Sequence, residues 1–160
     1  MKKVMFVCLG NICRSPVAEA VFNFRAKERG LDEKYLADSS GTSSYHVGAD
    51  PDPRMQLTAE KHGVPMHHSA QQFQRDHFEE MDIIFAMDAK NYEDILSLTQ
   101  NEQHRTKVHL IREFDPLAIG DRRDTPDPYY GRGYELFEEV FDIVWRSSEE
   151  ILDLLESGNL

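Results

Sequence analysis

Short apolar runs alternate with stretches of helical periodicity along this chain. Apolar residues cluster over residues 4–7, 82–86 and 108–111, and a shorter group spans 35–37. Compact runs of this kind are typical of strands that are buried on both faces of a sheet. Because helical stretches separate them, the pattern predicts an α/β chain with a parallel sheet that is covered on both sides.

The helical stretches are predicted over residues 16–29, 54–62, 89–98 and 134–155. The expected inner stripe of the first helix consists of Val17, Ala20, Val21 and Phe24. Pro16 suits its first turn, and Gly30 suits the position just past its end. The last helix is expected to bury seven apolar side chains: Phe137, Val140, Phe141, Val144, Ile151, Leu152 and Leu155. Residues 39–53 and 113–133 are rich in polar and turn-forming residues and are predicted loops.

A cysteine, an arginine and a helix follow the first strand at short intervals. The residues are Cys8-Leu9-Gly10-Asn11-Ile12-Cys13-Arg14-Ser15-Pro16. Gly10 and Asn11 tolerate unusual φ angles, so the backbone N–H groups of this loop are able to turn inward. The helix N-terminus adds positive potential, and Arg14 presents a rigid fork of donors to two phosphoryl oxygens. Since this field favours the thiolate of Cys8, the loop predicts an anion site with a nucleophile at its centre.

A thiol phosphatase also needs an acid that protonates the departing oxygen. Asp127 is the predicted acid, because a proline on each side restricts its backbone. Tyr129 and Tyr130 follow directly and are expected to wall a pocket for an aromatic substrate. Taken alone, the same segment is also typical of a simple turn, and Asp124 is the competing candidate for the acid.

Length, charge and cysteine content narrow the function classes. The 160 residues suit a single domain, residues 1–160, and the net charge of −11 argues against binding nucleic acid or an anionic membrane. No apolar stretch approaches the roughly 20 residues of a membrane span. Two cysteines do not form a disulfide framework, so we expect a cytoplasmic protein. The seven histidines show no metal-ligand spacing, so neither a metal site nor a cofactor is expected.

The chain resembles the low-molecular-weight protein tyrosine phosphatases. The resemblance rests on the Cys8 motif and on a second motif, Asp127-Pro128-Tyr129-Tyr130-Gly131, and it covers essentially the whole chain. It implies a flavodoxin-like, three-layer α/β fold with four parallel strands and helices on both faces. It also implies hydrolysis of protein tyrosine phosphate, with Cys8 as nucleophile, Arg14 as phosphate clamp and Asp127 as general acid and then general base.

Further roles follow from the same resemblance. Four side chains are expected to support the phosphate-binding loop by hydrogen bonds: Asn11, Ser15, Ser39 and His68. Tyr45 is expected to line the pocket opposite Tyr129 and Tyr130. The implied partner is a phosphotyrosine-containing protein, and members of bacterial type often act on a bacterial tyrosine kinase.

Two alternatives and a redox expectation complete the interpretation. A thiol-dependent arsenate reductase has the same fold and loop but relays oxidation through later cysteines, and none follows Cys13 here. A non-catalytic phosphate-binding module is favoured only where the nucleophile or the acid is missing. Peroxide is expected to oxidise Cys8, which Cys13 then captures as a disulfide; the alternative is that Cys13 only packs behind the loop.

Overall fold

Four strands form one parallel sheet in the computed structural model, which describes residues 1–120 and 123–160. The strands are β1 (Lys2–Cys8), β2 (Tyr35–Gly41), β3 (Ile83–Ala86) and β4 (Val108–Leu110). Their order across the sheet is β2-β1-β3-β4, and every pair is parallel, as predicted. Part of the predicted polar segment 113–133, residues 121–122, lies outside the described residues.

Helices connect and cover the strands. They are α1 (Arg14–Glu28), α2 (Pro53–Lys61), α3 (His77–Glu80), α4 (Ala89–Leu96), α5 (Glu102–Arg105) and α6 (Glu135–Ser157), with a 3-10 turn at Ile111–Phe114. The sequence did not predict α3 and α5, because four residues are too few to show a helical period. Among the helices of the described residues, none has both the length and the apolar composition that crossing a membrane requires.

Alternate side chains of β1 enter two separate cores, one on each face of the sheet. Val4 and Phe6 belong to the core that α1, α2 and α6 cover. Met5 and Val7 point to the other face, where the second core includes residues of α3 and α4. The predicted three-layer arrangement, with helices on both faces, is therefore confirmed.

The first helix confirms only part of the predicted stripe: Val17 and Val21 are fully buried, as predicted, but the buried face is shifted. Ala18 and Phe22 are fully buried, whereas Ala20 and Phe24 are only partly buried. The helix packs against both the sheet and α6, so its buried face is centred closer to Ala18 than the spacing alone indicates. Phe24 lies at the edge of the core, 6.3 Å from the ring of Trp145. All seven apolar residues predicted for α6 are buried.

The register of the sheet brings the predicted functional residues to one edge. Cys8 is the last residue of β1 and pairs with Gly41, the last residue of β2. Val7 pairs with Ala86 at the end of β3, so the segments that follow β1 and β3 emerge side by side. Ser39, expected in a loop, instead belongs to β2. Ligands of open parallel sheets bind at this carboxyl edge.

A buried carboxylate joins α6 to the segment that precedes the acid loop. Asp115 accepts two hydrogen bonds from Arg146, at 2.8 and 3.0 Å, and lies 3.2 Å from Nε of Arg112. Arg112 in turn donates to the carbonyl oxygen of Asp124 at 3.1 Å. Burial opposes the charge on Asp115, but the hydrogen bonds from Arg146 and the Leu117 N–H, together with the charges of Arg146 and Arg112, lower the pKa of Asp115 below its ordinary value.

We expect Asp115→Asn to lower the free energy of unfolding by about 3 kcal/mol at neutral pH, because it leaves two arginines without their carboxylate. The pKa of Asp115 is lowered in the folded state, so its contribution is complete above the ordinary pKa of 3.8 and is lost as the pH falls below it. Urea unfolding at a series of pH values therefore should show the difference from wild type shrinking in acid.

Asp153→Asn is the matched control, since Asp153 is exposed and pairs with Arg29 at 2.8 Å. An exposed pair contributes at most about 1 kcal/mol. The account of the Asp115 cluster is wrong if both variants lose the same stability.

Candidate active site

The loop between β1 and α1 curls around the sulfur of Cys8. Asn11 adopts a left-handed backbone conformation, with φ at 58°. Its backbone N–H points at the buried sulfur from 3.3 Å, and the hydroxyl of Ser15 lies 3.0 Å from the same atom. The loop therefore closes on Cys8 from two sides.

The backbone carbonyl and N–H groups of this loop have different surroundings. Its carbonyl oxygens turn outward, where Thr42 N–H donates to Cys8 O (2.9 Å), Ser43 N–H to Leu9 O (3.0 Å) and Asp52 N–H to Ile12 O (2.8 Å). Among residues 1–120 and 123–160, no acceptor is assigned to the N–H groups of Leu9, Gly10, Ile12 and Cys13. Grouped N–H groups of this kind, at the start of a helix, form a concave site for an anion.

Gly41 makes the outward turn of the carbonyls feasible. A Cβ atom at this position would lie only 2.6 Å from the carbonyl oxygen of Leu9 and 3.1 Å from the backbone nitrogen of Asn11. Both contacts are with backbone atoms, which cannot move without reshaping the loop. The residue that ends β2 therefore has to be glycine for the loop to pack against it.

The side-chain amide of Asn11 holds the loop through four hydrogen bonds. Its Nδ2 group donates to the hydroxyls of Ser15 at 2.8 Å and Ser39 at 3.0 Å. Its Oδ1 atom accepts from Nε2 of His68 at 2.6 Å and from the backbone N–H of Gln71 at 2.9 Å. The structure thus brings together all four predicted supporting residues. Gln71 was not predicted, because its contribution is a main-chain group.

The hydroxyl hydrogen of Ser15 has two possible acceptors. Its oxygen already accepts from Asn11, so its hydroxyl hydrogen is free to point at the sulfur of Cys8 or at the carbonyl oxygen of Ser40, 3.2 Å away. A hydroxyl that can turn toward the sulfur stabilises a charge there when one develops.

A carboxylate and an imidazole lie behind this network. Glu19 accepts from the hydroxyl of Ser39 at 3.0 Å and lies 3.2 Å from Nδ1 of His68. Burial raises the pKa of Glu19 above its ordinary value, although His68 opposes the shift. Glu19, Asp38 and His68 have ligand atoms within 4.8 Å of one another, a spacing that could hold a metal ion. None of the three lines the pocket at Cys8.

Arg14 is buried beside the loop with its guanidinium fixed from one side. Its Nη1 group donates to Asp88 Oδ2 at 2.7 Å and to the carbonyl oxygen of Thr125 at 3.0 Å. Burial disfavours its charge, but the charges of Cys8, Asp88 and Asp127 outweigh burial and raise the pKa of Arg14. The guanidinium therefore stays charged, with Nη2 and Nε remaining for a ligand.

Asp88 is a site residue that the sequence reasoning missed. It lies two residues after the end of β3 and caps α4, where its Oδ1 accepts from the N–H of Asn91 at 2.7 Å. Its other oxygen holds Arg14. A carboxylate placed two residues after the strand adjacent to β1 was the available signal.

The structure distinguishes the two candidate acids. Asp127 lines the pocket, and its Oδ2 atom lies 3.5 Å from Nη2 of Arg14. Asp124 instead accepts from the N–H of Ala89 at 2.8 Å, at the start of α4, and is not among the pocket residues. Of the two candidates, Asp127 is thus the one that lines the same pocket as Cys8.

Aromatic side chains form the mouth of the pocket. Tyr45 and Tyr130 are more than three-quarters exposed, and Tyr129 packs edge-on against Tyr130 with ring centres 4.9 Å apart. His46 also lines the pocket and was not predicted. Its ring lies 5.7 Å from that of Tyr129 and packs so closely on Gly10 that a Cβ there would be 2.9 Å from it.

Cys13 is the second cysteine of the loop and has a different environment from Cys8. It is buried and unpaired, and it also contributes to the pocket wall. Burial, reinforced by the negative charge of Asp52, raises the pKa of the Cys13 thiol well above its ordinary value. Cys13 is therefore protonated at neutral pH.

The comparison with known proteins agrees with this geometry. The sequence model described as low molecular weight phosphotyrosine protein phosphatase matches residues 3–158. The chain belongs to this family. A low molecular weight protein-tyrosine-phosphatase of Streptomyces coelicolor is 43% identical over 94% of this chain and 91% of its own. The human low molecular weight phosphotyrosine protein phosphatase is 38% identical over 95% and 94% of the two chains.

Solved structures of other phosphatases match nearly the whole chain. A protein tyrosine phosphatase from Entamoeba histolytica, with Hepes in its active site, superposes with a TM-score of 0.95 at 39% identity and covers 100% of both chains. A Drosophila arginine phosphatase superposes with a TM-score of 0.85 at 31% identity, covering 98% of each chain. The fold is therefore that of the low molecular weight phosphatases, which are hydrolases.

Proposed function

We propose that this phosphatase hydrolyses phosphotyrosine in proteins through a phosphocysteine intermediate on Cys8. The observation that supports this most directly is a single pocket in which the Cys8 sulfur, the unpaired loop N–H groups, Arg14 and Asp127 converge. Such a pocket combines a nucleophile, an oxyanion clamp and an acid in one site.

In the first step the phosphoryl group moves from tyrosine to cysteine. The loop N–H groups and Arg14 bind the three equatorial oxygens, whose charge they stabilise in a loose transition state. The Cys8 thiolate attacks phosphorus in line, and the bond between phosphorus and the tyrosyl oxygen breaks. Asp127 gives its proton to that oxygen, so neutral tyrosine departs.

In the second step water removes the phosphoryl group. Asp127, now a carboxylate, takes a proton from a water molecule whose oxygen attacks phosphorus. The sulfur–phosphorus bond breaks, inorganic phosphate leaves and the Cys8 thiolate is restored. Ser15 supports this departure, because its hydroxyl lies 3.0 Å from the sulfur.

The neutralising charge for both steps comes from the protein itself. Arg14 is held in its charged form by Asp88, and the loop supplies further N–H donors. We therefore infer a metal-independent and cofactor-independent reaction. The thiolate chemistry needs a reducing compartment, which supports a cytoplasmic location, and residues 1–160 act as one phosphatase domain.

The rim of the pocket sets the substrate class. An arginine phosphatase shares this fold, so the fold alone does not select the leaving group. Here Tyr45, Tyr129 and Tyr130 surround the entrance and present aromatic faces to a planar phenol. We infer a phosphotyrosine-containing protein as substrate, and a bacterial tyrosine kinase as the candidate partner.

The first prediction from this function concerns the nucleophile. Cys8→Ser should lower kcat on a phosphotyrosine peptide by at least about 10³-fold, because an alcohol replaces the thiolate at the centre of the cradle. Thermal unfolding should show that the variant stays folded. Retention of more than about a tenth of the wild-type kcat would exclude a covalent intermediate on Cys8.

The second prediction concerns the acid. Asp127→Asn should lower kcat/KM more for phosphotyrosine, whose phenol has a pKa near 10, than for para-nitrophenyl phosphate, whose leaving group needs little protonation. Asp124→Asn is the matched control and should lose activity equally on both substrates. If the two substrates lose equal activity in Asp127→Asn, Asp127 is not the proton donor.

The third prediction concerns oxidation. Peroxide converts the Cys8 thiolate to a sulfenic acid. Cys13 then loses its thiol proton and attacks that sulfur, a disulfide bond forms, and the displaced hydroxyl takes up a proton and leaves as water. Because the pKa of Cys13 is raised, this capture should be faster at higher pH. Cys13→Ser should regain far less activity than wild type after peroxide and then thiol. Equal recovery, with no Cys8–Cys13 peptide in mass spectrometry, would leave Cys13 a packing residue.

A further inference from the structure

We propose that Arg54 is a positioning residue that fixes the general acid relative to the phosphate-binding loop. The proposal rests on the role of Asp127 as the acid. Arg54 is the second residue of α2, does not line the pocket, and so acts on Asp127 through other groups.

Arg54 holds the segment that follows Asp127 by its main chain. Its Nη2 group donates to the carbonyl oxygen of Tyr129 at 3.1 Å, and Nη1 reaches that of Gly131 at 3.5 Å. The guanidinium also lies over the rings of Tyr129 and Phe137, with its carbon 5.9 and 4.8 Å from the ring centres. The acid loop is therefore clamped to α2 and to the start of α6.

The clamp reaches the acid through one residue. Tyr129, whose carbonyl oxygen Arg54 binds, donates its own N–H to Asp127 Oδ1 at 3.1 Å. This bond occupies one carboxyl oxygen and leaves Oδ2 on the side of Arg14. A shift of the Tyr129 backbone would therefore rotate or displace the oxygen that carries the transferred proton.

The other end of the clamp is tied to the phosphate-binding loop. Asp52 accepts from Arg54 Nη2 at 2.8 Å and Nε at 3.1 Å, so the guanidinium has one orientation. The backbone N–H of Asp52 donates to the carbonyl oxygen of Ile12 at 2.8 Å. Asp52 and Arg54 thus connect Ile12, in the loop that binds phosphate, with Tyr129, in the loop that carries the acid.

The other anchors of the acid loop act upstream of Asp127. Thr125 donates its N–H to Met87 O at 2.8 Å, and Arg112 holds the carbonyl oxygen of Asp124. On the downstream side, the hydrogen bonds that another element makes to the main chain of residues 128–131, within the described part of the chain, come from Arg54. Loss of Arg54 should therefore free the downstream half of the loop while the upstream half stays in place.

The test is the dependence of kcat/KM on the leaving group in Arg54→Gln. Aryl phosphates from nitrophenols to unsubstituted phenol, whose pKa is about 10, report how much proton donation each needs. We expect the loss to grow across the series, to about tenfold at phenol. Inhibition by inorganic phosphate should change by less than about twofold, because the loop N–H groups and Arg14 remain.

Two further variants separate this role from a structural one. Arg29→Gln removes a partly exposed arginine that pairs with Asp153 and Glu149 and should leave the whole series unchanged. Arg54→Lys keeps the charge but loses the paired hydrogen bonds, so its slope should lie between wild type and Arg54→Gln. It also carries the test if Arg54→Gln does not fold. A loss that is the same for every leaving group would overturn the proposal.

The double variant Arg54→Gln/Asp127→Asn separates the proposed role of Arg54 from the proposed role of Asp127. If Arg54 acts through Asp127, adding Arg54→Gln to Asp127→Asn should lower kcat/KM by less than about twofold. If the loss of kcat/KM depends on the leaving group in Asp127→Asn but not in Arg54→Gln, the role of Arg54 is contradicted while Asp127 remains the acid. A series that is flat in Asp127→Asn contradicts the proposed acid, and with it this role.

Discussion

The pocket depends on the left-handed backbone conformation of Asn11. Four hydrogen bonds between the side-chain amide of Asn11 and neighbouring residues hold this conformation. With this turn, carbonyl oxygens of the loop accept hydrogen bonds from outside the loop, and the N–H group of Asn11 points at the Cys8 sulfur. This conformation costs free energy in any residue other than glycine. It persists only where several contacts with the surrounding structure fix it. Here the surroundings are Ser15, Ser39, His68 and Gln71.

Local charge, not net charge, decides what this pocket binds. The chain carries −11 overall, yet the described pocket has Arg14 at its floor and unpaired N–H groups around it. Exposed charges are screened beyond about 8–10 Å, whereas a buried guanidinium is screened much less. Two arginines have different roles at this site. Arg14 faces the pocket, and Arg54 holds the acid loop from behind.

The sequence predicted the parts of the site that are carried by side chains in local motifs. Cys8 and Arg14 were predicted from a short motif between a strand and a helix, Asp127 from the prolines on either side of it, and the parallel sheet from compact apolar runs. Contacts distant in sequence could not be predicted in this way. Asp88, 74 residues beyond Arg14, becomes its partner only when β1 and β3 lie side by side. Gln71 and the Ile12 carbonyl contribute main-chain groups, which leave no mark in the sequence. The displaced stripe of α1 arose because α6 packs on its flank, which helical periodicity does not encode.

Acid quench of the wild-type protein during turnover of an aryl phosphate, followed by peptide mass spectrometry, tests the central claim most directly. The claim is that the cradle around Cys8 both binds the phosphoryl group and receives it. The account predicts a Cys8 peptide heavier by one phosphoryl group, which appears within the first turnover and disappears when substrate is exhausted. Rapid release of phosphate without this species, or a phosphoryl group on another residue, would contradict it.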